Sequence, residues 1–302
     1  LLGVSAGLAA LTDAGIPLED ANRGAIVFAI ACGGVVYTRR FYHEVRTEGA
    51  NVASPLLFPE TVFNAPASHL AALLKVDGRD YTLVGDSSVG LSALHFASQL
   101  LAIDPALTFC VVVGVEEADW VLADGFATWR MASNRSSFPV YGARQGTILA
   151  ESAAAVVLSR SGSLRLAATT AGLPFFNQKQ APAALAELVA RVCDGRRLAG
   201  ILSSANGTFA DRVEEAVFGP GFGSVPVYAH KSAIGDTLGA SAVLQVVLAK
   251  FALEQQKLPP TLHAGDRLQT VTRDVTEIRG SDLLVSSVGF NQQVNAALLS
   301  LG

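Results

Sequence analysis

Cysteine is scarce in this chain, and the three present, Cys32, Cys110 and Cys193, stand far apart. No pair has the spacing of a metal knuckle or a redox motif, so neither a metal site nor a disulfide framework is expected. Cys32 and Cys110 lie in apolar runs, and reduced, buried thiols are the plain reading. Charge is thin as well: 16% of residues are charged, for a net charge of -4. With no basic run, nucleic acid is excluded as a partner class. Short-period repeats and low-complexity tracts are absent, which excludes repeat architectures. The apolar runs are broken by charges or turn residues, so no membrane-spanning helix is predicted. The opening LLGVSAGLAALTDAGI has no basic region before it. Asp13 and the spacing of Leu8, Leu11 and Ile16 fit an amphipathic helix there, not a signal peptide.

What is abundant is apolar surface: half the residues are hydrophobic. A chain of 302 residues can bury a large core in one or two closely packed domains. The apolar excess further predicts a face covered by a partner subunit. GAIVFAIAC (24–32) and TFCVVVGV (108–115) are continuous apolar runs, which predict strands covered on both faces. Another buried strand is expected within 146–158, after a glycine turn. Around Ser159–Ser163 the composition turns polar and the pattern starts over, dividing the chain into halves 1–162 and 163–302. The second half reads as strands at 164–170, 200–204, 225–229 and 283–287, with helices at 182–193, 210–218 and 239–251. Alternating strands and helices indicate an α/β protein with mostly parallel sheets.

The stretch around which the chain is organised is YTLVGDSSVGLSALH (81–95). It predicts a short strand, a tight turn and a buried helix of small residues. Asp86, Ser87 and Ser88 stand where a helix cap belongs, and Gly90 lets a neighbouring backbone come close. Such a unit can aim one side chain at the positive end of a helix dipole into a site.

Seven segments, in order, carry a family likeness: FPETVFNAPASHLA (58–71), GDSSVGLSAL (85–94), VVVGVEEAD (111–119), ILAESAAAVVL (148–158), ANGTFADRVEEAVF (205–218), HKSAIGDTLGASAVLQVVLA (230–249) and SVGFNQQVNAALL (287–299). One after another they resemble the landmarks of the β-ketoacyl synthases, within the thiolase fold. Each is weak alone; their common order over nearly the whole chain is specific. The resemblance implies a thiolase-like five-layered α/β/α/β/α sandwich of two similar halves, working as a dimer. By it the family's first strand would precede Leu1, in keeping with a first residue that is not Met.

An active member of that family, by the same resemblance, uses a cysteine thiolate and two histidines. Aligned on Gly90-Leu91, the cysteine position holds Ser87, and the histidine positions hold Asn206 and Asp236. The family's lysine is retained as Lys231. A cysteine at a helix N-terminus ionises near neutral pH, from a free value of about 8.5. A serine hydroxyl needs an adjacent base instead, and Asp86 adds negative charge beside it. The glycine pair that helps form the family's oxyanion hole is replaced by Asn291-Gln292. No catalytic residue is therefore assigned. Ser87 reads as a plain helix cap, and Lys231 as a fold-supporting ion pair or hydrogen-bond donor. His43, His69, His95 and His230 read as structural. Glu116 and Glu117, with Asp119, read as a solvated or interface turn.

Two functions are weighed. The first is a non-catalytic, chain-length-factor-type subunit in the cytoplasm, needing no cofactor. It would pair as a heterodimer with an active β-ketoacyl-ACP synthase and shape its acyl tunnel in type II polyketide, aryl-polyene or fatty-acid-like elongation. Acyl carrier protein would be met through the complex. Phe58, Phe63, Asn64, Trp120, Phe126 and Trp129 are the candidate tunnel or interface residues, ordinary core being the competing reading of the aromatics. The second is a serine-nucleophile acyltransferase or hydrolase using Ser87 or Ser88, with a base such as His230 or His263 close by. A hydrolase elbow centred on Ser88 would have Asp86 at its first glycine.

Overall fold

The computed structural model describes all of Leu1–Gly302. In the first half, α1 (Leu2–Asp13) leads into β1 (Gly24–Ile30), α2 (Val35–Glu48), α3 (Ala65–Leu74), β2 (Asp80–Val84), α4 (Val89–Ile103), β3 (Phe109–Glu116), α5 (Trp120–Thr128) and β4 (Ser152–Ser159). The strands form one sheet in the order β2-β1-β3-β4. β1 lies parallel to β2 and β3, and β4 runs antiparallel along β3. As an edge strand β4 is largely half-buried, where the sequence had suggested a buried one.

The second half holds β5 (Leu164–Thr169), β6 (Leu173–Pro174), α6 (Ala181–Cys193), β7 (Gly200–Ser203), α7 (Phe209–Gly221), β8 (Val227–Ala229), α8 (Lys231–Ile234), α9 (Ser241–Gln255), β9 (Lys257–Leu258), β10 (Thr276–Glu277), β11 (Asp282–Val288) and β12 (Gln293–Leu301). Its main sheet runs β5-β12-β11-β7-β8, with β6 also on β12 and β9 paired with β10 apart. The core β11-β7-β8 is parallel, while β12 adds antiparallel to β11 and β5 adds antiparallel to β12.

Alternation along the strands sorts the core into three seams. Ile26, Phe28 and Ile30 face outward and pack with Leu11 of α1 and Leu70 and Leu74 of α3. Ala25, Val27 and Ala29 face inward, toward Leu91 and Leu94 of α4 and Val243 and Val246 of α9. Leu283 and Val285 of β11 reach the same seam from the second sheet. Leu284, Ala296 and Leu298 point the other way, onto Leu185 and Leu188 of α6 and Val213 of α7. The result is five layers, with α4 and α9 as the middle one.

That middle layer corrects the reading that every apolar run stops short of a membrane-spanning length. Residues 238–255 reach it, and 61% of the stretch is buried. A helix packed between two sheets is apolar nearly all round. The two central helices touch closely at Gly90. A Cβ there would stand 2.9 Å from the Val243 backbone nitrogen and 3.0 Å from the Ala242 Cβ.

Candidate functional site

The turn between β2 and α4 carries Ser87 and Ser88, both fully buried. Ser87 is not a cap. Its Oγ donates to Asp236 Oδ1 at 3.0 Å, across 149 residues of sequence. Asp236 follows α8 and is held by its backbone: its N–H donates to Ile148 O at 2.8 Å, and its C=O accepts from Ala150 N at 3.0 Å. Four more donors reach its carboxylate: Asn206 Nδ2 at 2.7 Å, Lys231 Nζ at 3.0 Å, Leu238 N at 3.0 Å and Ser241 Oγ at 2.9 Å. Asn206 Oδ1 accepts from Thr208 N and Oγ1, which fixes the orientation of its amide. The four positions singled out from the sequence, Ser87, Asn206, Lys231 and Asp236, thus meet at one carboxylate.

The Lys231–Asp236 pair has no solvent exposure on either side. Burial pushes the Asp236 carboxyl toward its neutral form. The Lys231 charge and the hydrogen bonds from Asn206, Lys231 and Ser241 outweigh it and hold the group below the usual carboxylate range. His230, next in sequence, is buried with neither ring nitrogen hydrogen-bonded. Burial first, and then the Lys231 charge, press its imidazole down to about 3. Neither it nor His263 makes a hydrogen bond to Ser87 or Ser88; Ser88 Oγ donates to Asp86 Oδ1 and Gln293 Oε1, each at 3.2 Å. His69 pairs at the surface with Glu60 at 2.9 Å.

Two buried carboxylates on α7 support this cluster, and the sequence reading noted them only as part of a motif. Asp211 accepts from the backbone N–H groups of Tyr141, Asn206 and Gly207 at 2.7–3.0 Å, which holds the Asn206 loop. Burial raises its carboxyl to about 6 in spite of those donors. Glu214 accepts from Tyr141 Oη, Ser203 Oγ, Ser204 N, Ser204 Oγ and Ser286 Oγ. The available signal was their spacing, which places both on one face of a helix.

Glu116 requires a correction too. It is 3% exposed rather than solvated, and accepts from Ala31 N, Cys32 N and Gly239 N at 2.8–3.2 Å. Burial raises its carboxyl to about 7. Asp119 caps α5 through Val121 N and pairs with Arg39 at 3.1 Å. Beside them opens a cavity of 270 Å³, lined among others by Glu117, Trp120, Leu122, Leu149 and Leu238.

Of the tunnel or interface candidates, Trp120 alone lines this cavity. Phe126 is buried and meets Phe290 edge-on at 5.3 Å. Phe58, Phe63, Trp120 and Trp129 are 47–66% exposed, so ordinary core does not describe them. Asn64 is exposed at the start of α3 and caps nothing with its side chain.

Compared with known families, residues 1–162 match the β-ketoacyl synthase N-terminal domain and residues 168–265 the C-terminal domain. The chain belongs to the β-ketoacyl synthase family. A 3-oxoacyl-[acyl-carrier-protein] synthase 2 of Coxiella burnetii is 24% identical over 95% of this chain and 78% of its own length. Solved structures share the ketosynthase fold. One is a ketosynthase in complex with its chain length factor from Xenorhabdus doucetiae, with a TM-score of 0.79, 18% identity and 97% of this chain and 77% of that one covered. Another is a type II polyketide acyl-carrier protein in complex with its ketosynthase, with a TM-score of 0.88, 15% identity and coverages of 100% and 84%.

Proposed function

We propose that this chain is a ketosynthase-family subunit without condensing activity of its own. It pairs with an active β-ketoacyl-ACP synthase and shapes the acyl tunnel in polyketide, aryl-polyene or fatty-acid-like elongation, with each half, 1–162 and 163–302, contributing one sheet. The observation that carries this reading is the saturated cluster at Asp236. The three positions that resemble the family's nucleophile and histidines hold Ser87, Asn206 and Asp236, and all three are spent on one another. A general base needs a pKa near the working pH and a free lone pair. Asp236 is held ionised by Lys231 and surrounded by donors, so it is a weak base toward Ser87. The exposed aromatic side chains favour a partner over a monomer, as does the ketosynthase and chain length factor pairing of a structural neighbour. No comparable observation favours a serine nucleophile.

The test is to supply the purified chain, alone, with malonyl and acyl thioesters of an acyl carrier protein. No condensation and no labelling of Ser87 or Ser88 by a phosphonate are expected, together with co-purification of a cysteine-bearing ketosynthase. Turnover by the chain alone that is abolished in Ser87→Ala would end the proposal.

A further inference from the structure

None of the 14 residues of α2 is buried, and the helix packs chiefly on the 58–61 turn, where Phe41 meets Phe58 at 5.6 Å. Glycines in the left-handed region flank it, Gly33 at φ +63° before it and Gly49 at φ +94° directly after it. A Cβ on Gly49 would touch nothing, so the backbone angle rather than packing calls for glycine there. Short segments of this kind absorb the backbone rotation of a hinge. Arg39 ties the helix to α5. Its Nε and Nη2 donate to Asp119 Oδ2 at 3.2 and 3.1 Å, and its guanidinium carbon stands 5.9 Å from the centre of the Trp120 ring. The Asp119 side chain is 5% exposed and is fixed in turn as the cap of α5. Asp119 and Trp120 both line the 270 Å³ cavity, whereas no residue of α2 does.

We propose that α2 is a hinged strap, buckled by Arg39 to the rim of that cavity, and that the buckle sets how fast an uncharged apolar chain enters and leaves. The cavity wall is apolar through Leu122, Leu149 and Leu238, and its polar groups include the carboxylates of Glu116 and Glu117. Carboxylates on such a wall repel an anion, which is why the occupant is uncharged. One guanidinium holds both the strap and the Trp120 indole, so undoing its bonds to Asp119 frees the two together. Arg39 is a positioning residue: it touches the rim and not the chain. That the occupant is a growing acyl chain rests on the subunit reading above. The strap does not, and the experiment needs neither a partner subunit nor turnover.

The wild type, Arg39→Met and Arg39→Lys would be compared by hydrogen exchange and by stopped-flow binding of the uncharged fluorophore N-phenylnaphthylamine. In Arg39→Met, exchange across α2 should quicken about three- to thirtyfold, the combined worth of an ion pair and a cation–π contact. Association and dissociation of the probe should quicken together and leave Kd nearly unchanged, which the loss of a contact in the cavity wall would not produce. Arg39→Lys keeps the charge but loses the planar fork, and should fall between the two. Leu149→Trp fills the cavity and should abolish binding of the probe. Unchanged exchange in α2, unchanged probe rates, a probe that does not bind the wild type, or binding that survives Leu149→Trp would each overturn the proposal. Should Arg39→Met fail to fold, Arg39→Lys decides by the same readings.

Discussion

Asp236 accepts from Ser87, Asn206, Lys231, Leu238 and Ser241 without any contact with solvent. Removing one partner of a buried ion pair strands the other charge, at a cost of about 3–5 kcal/mol. Asp236→Ala is therefore expected to lower the urea midpoint by that equivalent, and Asp236→Leu combined with Lys231→Met to lower it less than Asp236→Ala does. Glu116 gives a pH dependence. Its folded value of about 7 lies above the ordinary 4.5, so the folded chain binds more protons than the unfolded one between those limits. Its contribution is most favourable below pH 4.5 and falls by about 3 kcal/mol as pH rises through 7. His230, pressed down to about 3 from 6.5, has the opposite sign: stability is lost as pH falls below 6.5. Subtracting the pH–stability curve of Glu116→Gln from that of the wild type isolates the first effect. A flat difference between pH 4.5 and 7 would contradict it.

At the scale of elements, the middle layer is set by how near α4 and α9 can come. Gly90→Ala pushes a methyl group into the Val243 backbone, and overpacking of this kind costs about 1–3 kcal/mol. A lower Tm is expected, with α-helical circular dichroism preserved. This layer also marks how far the sequence could be read. The runs at 24–30 and 109–116 announced their double burial by lacking any alternation. The small residues of α4 announced a close crossing. The edge position of β4 was not legible, because an edge strand and a central one can share the composition of 152–159. Glu116 was misread because an acidic pair after a strand usually meets water, whereas here three N–H groups from distant loops converge on it. Ser87 was misread for a similar reason: caps are local and visible in sequence, while its true partner lies 149 residues away.

For the whole molecule, the five layers followed from the ordered family landmarks more than from any single pattern. The aromatic residues show where such reading stops. Composition predicted apolar excess but not which face would bear it, and Phe58, Phe63, Trp120 and Trp129 lie at the surface. Their roles now separate. Trp120 lines the 270 Å³ cavity, so if the proposed complex forms, Trp120→Ala is expected to lengthen its products, as read by mass spectrometry; unchanged lengths would count against a tunnel role for it. Phe63 packs on Gly33 and does not line that cavity, so in the proposed complex Phe63→Ala should weaken subunit association, measured by sedimentation, and leave product length alone.

The turn before α4 is stitched to both later ends of the fold. Ser87 reaches Asp236, the Ser287 hydroxyl donates to the Ser87 carbonyl at 2.8 Å, and Ser88 reaches Gln293. These contacts close only when segments 149 to 205 residues apart have found each other. Topologies dominated by such distant pairings reach the native state slowly. Refolding from denaturant should accordingly be sluggish and all-or-none, with neither half persisting once the other has come undone.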